Sequence, residues 1–198
     1  MLQAITNLDL SILLEIQEHL RCGFSDVIFP VLSKLNNAGF IWIVITLVLL
    51  YRKKTRTAGL CMAVCLLVNL ALGEGILKHL LNRARPFVVH PISQMLIALP
   101  TTSSFPSGHT SSSFAAATAL LRNHKRAGMA AYVLAGLISF SRLYLYLHYP
   151  TDVLGGILLG SCVGWFVTPW VWKKLKKLKI LLCRNNQKAG LLMVCIAL

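Results

Sequence analysis

Five apolar stretches, at residues 38–51, 57–81, 107–121, 127–146 and 150–172, dominate this chain, and only Glu74 and Asp152 carry acidic charge within them. Their lengths scatter around the roughly 20 residues that a helix needs to cross a bilayer core. Backbone groups in lipid must find partners within their own segment or a closed barrel, so stretches of this length read as helices. Composition points the same way: 56% of the 198 residues are hydrophobic, 13% are charged and the mean hydropathy is +0.68. A soluble domain of this size could not cover so much apolar surface. The expected fold is therefore all-α, an integral-membrane helical bundle with five or six transmembrane helices.

The sixth span depends on residues 1–36. Two amphipathic segments, 8–20 and 24–35, are split by Arg21-Cys22-Gly23 and interrupted by Pro30, and such segments either cross a membrane or lie along it. Residues 37–172 form the expected membrane core and 173–198 a basic tail, whose last apolar run, 190–198, is too short to cross. No basic region precedes the first apolar run, which carries Asp9, Glu15 and Glu18, so a cleaved signal peptide is not expected.

The formal charge of +14 is concentrated in three places. Fourteen of the 20 Lys and Arg residues fall at 52–56, 122–126 and 173–188. Loops rich in Lys and Arg stay in the cytoplasm, which puts these segments inside and residues 82–106 and 147–149 outside. Topology thus accounts for the basic charge. Nucleic acid is not an expected partner, because no reading motif accompanies the charge. The six cysteines include no Cys-x-x-Cys pair and read as small membrane hydrophobes. Gly156, Gly160 and Gly164, with the small residues at 111–113 and 115–117, read as helix packing faces.

Acids outside the N-terminal region number two, Glu74 and Asp152, too few for an ordinary Mg or Ca site. The six histidines show no zinc-binding spacing, so no metal or other cofactor is expected. Charges within spans nevertheless ask for a partner or a purpose. Lys78 and Arg85 are two helical turns apart and share a face if the helix persists to Pro86. Arg142 reaches the same outer level, and His148 and Asp152 flank the break at Tyr149-Pro150. Pro106-Ser107-Gly108-His109 opens the third span and offers free backbone N–H groups at a helix start, an anion cradle in which Gly108 permits close approach and Ser107 adds a donor. Three cations and a helix N-terminus suit a phosphoryl group. Glu74, one turn before Lys78, reads as its ion-pair partner, and Arg83 and His90 as interfacial residues within reach of a ligand.

Together, Lys78-x6-Arg85-Pro86, Pro106-Ser107-Gly108-His109 and Ser141-Arg142-x5-His148-x3-Asp152 resemble the three-part signature of the type 2 phosphatidic acid phosphatase superfamily, with every signature position filled in order across residues 78–152. The resemblance implies that His148 attacks phosphorus to give a phosphohistidine. It implies that Asp152 orients His148, and that His109 protonates the leaving oxygen and later activates water. Lys78, Arg85, Ser107, Gly108 and Arg142 would bind the phosphate, without a metal. Soluble haloperoxidases and membrane glucose-6-phosphatases share the signature, so fold analogy alone does not choose among activities.

A membrane chain with an outward-facing site favours a lipid headgroup, with residues 87–105, including Phe87, Met95, Leu96 and Ile97, as an apolar flap over the tail. Among lipid phosphatases the chain is similar to undecaprenyl pyrophosphate phosphatases of bacterial cell membranes. Phosphatidylglycerophosphate, phosphatidic acid and lipid A phosphate are alternative substrates; an anion transporter and an inactive scaffold are alternatives of another class.

Overall fold

A computed structural model describes residues 2–188, and all regular structure among them is helical. α1 (Leu2–His19) and α2 (Gly23–Leu35) lead through a short turn into α3 (Phe40–Tyr51). α4 (Arg56–Leu70) continues through a π-helical turn (Ala71–Leu77) into α5 (Lys78–Leu81), and α6 (Pro86–Val89) is a single turn. The bundle is completed by α7 (Gly108–Asn123), α8 (Lys125–Tyr144) and α9 (Pro150–Lys188). The apolar run at 190–198 lies outside the described residues.

Length and composition qualify three stretches as spans: Arg56–Val89, Lys125–Tyr144 and Pro150–Leu181. Helices α2 and α3, bent by 49° at the turn between them, make a fourth if counted as one. This is fewer than five or six, and the difference lies mainly in α7. With 16 residues it is short, and it sits in the middle of the bundle, packed against α4, α8 and α9. Ala115, Ala116, Ala117 and Ala119 on it are fully buried. α7 therefore meets protein rather than lipid along most of its length, which is why it tolerates so many hydroxyl and methyl side chains.

Small residues set the distance between α7 and α9. A Cβ on Gly160 would fall 2.2 Å from the Ser111 carbonyl oxygen, and one on Gly156 2.9 Å from that of Ser107. The two backbones are in contact, and dispersion between them replaces the hydrophobic drive that lipid does not supply.

Residues before 37 join the same body. Leu10, Leu13 and Ile16 form a buried stripe on α1, packing with Tyr144–Tyr149 and with Phe87, Ile92, Met95, Leu96 and Ile97. Those loop residues are thus committed to protein contacts. The apolar flap expected over 87–105 is corrected accordingly: Val88, Val89 and Leu99 remain exposed, but the larger side chains seal the loop onto α1 and α8.

Candidate active site

The ends of α5, α7, α8 and α9 meet at one level, as the motif spacing requires, though the route to Arg85 differs from the expected continuous helix. α5 stops at Leu81, and Asn82 takes a left-handed conformation with φ of 36°. Asparagine tolerates that region better than most residues, and the Asn82 N–H closes the last turn on the Lys78 carbonyl. The chain then runs extended through Arg85 until Pro86 starts α6. A loop rather than a helical face carries Arg85 inward.

There Arg85 is held by five contacts. Its Nε donates to the Thr102 carbonyl at 2.7 Å, and its Nη2 to Thr102 Oγ1 at 3.1 Å and the Ser103 carbonyl at 3.3 Å. Nη1 donates to the Leu147 carbonyl at 3.0 Å and reaches His148 Nε2 at 3.2 Å. Arginine can only donate, so Nε2 accepts and the imidazole proton sits on Nδ1. That nitrogen faces Asp152 Oδ2 at 3.6 Å, just beyond hydrogen-bond reach. His148 thus presents an unprotonated Nε2 towards the cations.

A packed turn fixes His148 between α8 and α9. Tyr146 has φ of 58°, a strained value for an aromatic residue, and is retained because Tyr146, Leu147 and Tyr149 are almost fully buried around it. Burial also pushes the His148 imidazole down to about 3, with the Asp152 carboxylate acting in the opposite direction. Burial thus favours the neutral ring.

Ser107 caps α7, its Oγ accepting from Thr110 N at 3.4 Å and from Thr110 Oγ1 at 2.9 Å, which leaves the hydroxyl proton available. Its own N–H donates to the Asp152 carbonyl at 3.1 Å and ties the start of α7 to that of α9. Lys78 Nζ pairs with Glu74 at 2.8 Å and reaches Thr102 Oγ1 at 3.5 Å. A Cβ on Gly108 would lie 2.4 Å from Glu74 Oε1, so a side chain there would require the Glu74 carboxylate to shift. Arg142 donates from Nη1 to Ser33 Oγ, and its Nε has no partner among the described residues. His109 Nε2 lies 3.2 Å from the Ser33 carbonyl, to which it donates.

One cavity of about 690 Å³ is lined by Lys78, Arg85, Gly108, His109, Arg142 and His148 at its polar end. Ser107 and Asp152, both fully buried, stand behind that wall. The cavity continues between α3 and α4 past Ile43, Leu47 and Leu50 on one side and Leu66, Leu67 and Leu70 on the other. From Gly39 to Leu50 the α3 wall extends about 16 Å at helical rise. Among the described residues no three His, Cys, Asp or Glu side chains converge as a metal site.

Sequence reasoning missed several neighbours of this site. Arg83, read as interfacial, instead contacts Asp152 Oδ1 through Nη1 at 2.6 Å and Asp9 Oδ2 through Nη2 at 2.9 Å. His90 is exposed, as an interfacial residue would be. Ser104 Oγ donates to Asp152 Oδ2 at 2.5 Å, and the Tyr149 N–H donates to the same oxygen at 2.9 Å. Arg83 could have been suspected from its place two residues before Arg85. Ser33 and Asp9 carry no local signal, since only packing of α1 and α2 brings them in.

Over 126 residues the chain is 36% identical to an undecaprenyl-diphosphatase of Sulfolobus acidocaldarius, a match covering 63% of this chain and 61% of that protein. The chain thus spans less than two thirds of that relative's length. A phosphatidylglycerolphosphate phosphatase of PAP2 type from Bacillus subtilis superposes with a TM-score of 0.69 and 28% identity, covering 86% of this chain and 87% of that one. LpxE of Aquifex aeolicus gives a TM-score of 0.72 and 27% identity over 81% of this chain and 94% of its own. The model of the PAP2 superfamily matches residues 58–176, which include every helix that supplies the cavity's polar end. This multi-pass membrane protein belongs to the PAP2 superfamily.

Proposed function

We propose that the protein is a metal-independent lipid phosphatase that uses His148 as nucleophile, and that its substrate is undecaprenyl diphosphate, cleaved to undecaprenyl phosphate and inorganic phosphate. The observation that carries this reading is the single cavity whose polar end holds Lys78, Arg85, Arg142 and His148 and whose apolar remainder runs down α3 and α4. A phosphate at one end and a long hydrocarbon at the other match the two halves of the cavity. The name of the Sulfolobus acidocaldarius relative supports the polyprenyl choice.

The geometry supports a covalent route. His148 Nε2 attacks phosphorus, an N–P bond forms and the bond to the leaving oxygen breaks. A protonated His109 gives that oxygen its proton, then takes one from the water that splits the phosphohistidine. Lys78, Arg85, Arg142, the Ser107 hydroxyl and the first N–H groups of α7 spread charge stabilisation over the phosphoryl oxygens, the role that metal ions fill elsewhere. Asp152 stabilises the positive ring that forms when Nε2 is phosphorylated.

Purified protein in EDTA is expected to release phosphate from undecaprenyl diphosphate faster than from phosphatidylglycerophosphate, phosphatidic acid or lipid A phosphate. Leu47→Trp, which fills the tail groove, is expected to cut turnover of the polyprenyl substrate about tenfold or more while sparing a short soluble phosphoester. Equal loss on both substrates, or full dependence on a divalent ion, overturns the reading.

The site faces away from the cytoplasm in this proposal, and the basic end of the bundle faces in. Helices α3, α7 and α9 run from the site towards the clusters at 52–56, 122–126 and 173–179, and α4 and α8 return. That alternation agrees with the positive-inside distribution. A cysteine placed at exposed His90 is expected to react with an impermeant maleimide in intact cells; reaction only after permeabilisation reverses the orientation.

A further inference from the structure

Arg83 does not line the cavity, yet both of its terminal nitrogens are engaged. Nη1 donates to Asp152 Oδ1 at 2.6 Å and Thr151 Oγ1 at 2.7 Å, and Nη2 to Asp9 Oδ2 at 2.9 Å. Its guanidinium lies over the Tyr149 ring, 4.0 Å from the centroid. Asp9, 2% exposed, also accepts from the Thr151 N–H at 3.0 Å and from Thr151 Oγ1 at 2.5 Å. One guanidinium therefore sits between two buried carboxylates, one from α1 and one from the start of α9.

The charge count of this cluster has a chemical meaning. Asp152 with Arg83 alone would form a neutral pair, and its field at His148 would largely cancel. Asp9 supplies a second negative charge, so the three groups carry a net charge of about −1, counting ionised side chains. We infer that Asp9 and Arg83 are positioning residues that act through Asp152: Arg83 fixes the carboxylate in place, and Asp9 restores the negative charge that the phosphorylated His148 ring needs. The Nδ1 proton then stays on the ring while the N–P bond forms. This inference rests on the proposed histidine chemistry and adds α1 to the reaction's working parts.

The test is a charge cycle in the full-length protein in detergent, reading kcat, KM and unfolding midpoint for Asp9→Asn, Arg83→Gln, the double variant and His148→Ala. Net charges become 0 for Asp9→Asn, −2 for Arg83→Gln and −1 again for the double variant, by the same side-chain count of about one unit per group. Each single variant is expected to lose about tenfold or more in kcat with KM within about threefold, and the double variant to recover most of the loss. A double variant as slow as the product of the two single losses points to a merely structural cluster and overturns the inference. If Asp9→Asn fails to fold, Arg83→Gln is assayed with added guanidinium ion: restored kcat supports the inference and no restoration overturns it. Full activity of His148→Ala would instead defeat the underlying mechanism. An inactive His148→Ala beside single variants of unchanged kcat would defeat only the role of Asp9 and Arg83.

Discussion

Replacing His148 with alanine will reduce phosphate release by about four orders of magnitude or more, the scale seen when a covalent nucleophile is lost. Arg85, Arg142 and Lys78 remain in that variant, so phosphate analogues should still bind while turnover stops. The fold should survive, because Leu147 and Tyr149 on either side of His148 carry the packing of the turn. Trapping with a labelled substrate gives the second reading: wild type forms an acid-labile phosphoenzyme and His148→Ala forms none. A variant that keeps a tenth of wild-type turnover would rule out His148 as nucleophile. His148 is nearly as buried as the core, and its 3.2 Å contact with Arg85 already points the lone pair of Nε2 towards the cation cluster.

Gly160→Leu carries the largest expected effect on stability. Its first side-chain atom would lie 2.2 Å from the Ser111 carbonyl and 2.8 Å from the Ala115 nitrogen, both backbone atoms of the central helix. Backbone cannot move aside as a flexible side chain does, so α7 and α9 must separate. The expected cost is about 3 kcal/mol or more, read as a lower unfolding midpoint in detergent or loss of monodisperse protein. Because the start of α7 is also the proposed phosphate cradle, activity should fall before the helices melt. Gly136, on α8, meets nothing within 4 Å of an added Cβ, and leucine there should leave the midpoint within about 0.5 kcal/mol of wild type. Equal effects at the two positions would show that close backbone approach is not what holds α7 in place.

The helical membrane architecture was legible because lipid forces the whole backbone into helices and the basic loops mark one side. The polar wall of the cavity was legible for a different reason. Lys78, Arg85, Arg142, His109 and His148 are costly in or beside apolar segments, so their spacing carried information that a soluble protein's surface charges would not. The shape of α7 was harder to read, since a helix sheathed by other helices need not be apolar or long. Arg85 reached its place through a left-handed Asn82 rather than along a helix, a turn no apolar periodicity encodes. Asp9, Ser33 and Arg83 owe their positions to the docking of α1, α2 and the 82–106 loop, contacts between segments far apart in sequence. The loop's apolar residues were visible, but whether they faced lipid or protein depended on that same docking.

The cavity divides labour between parts of the chain in a way that bears on how such a protein changes over time. Its polar end is assembled from α5, α7, α8 and two loops, while its apolar walls are the facing sides of α3 and α4. Substitutions among Ile43, Leu47, Leu66 and Leu67 can widen, narrow or bend the groove without touching the polar end. Substrate range can therefore drift while the chemistry stays constant. Exchanging α3 and α4 between two such enzymes should carry tail preference with it and leave the catalytic machinery of the recipient intact.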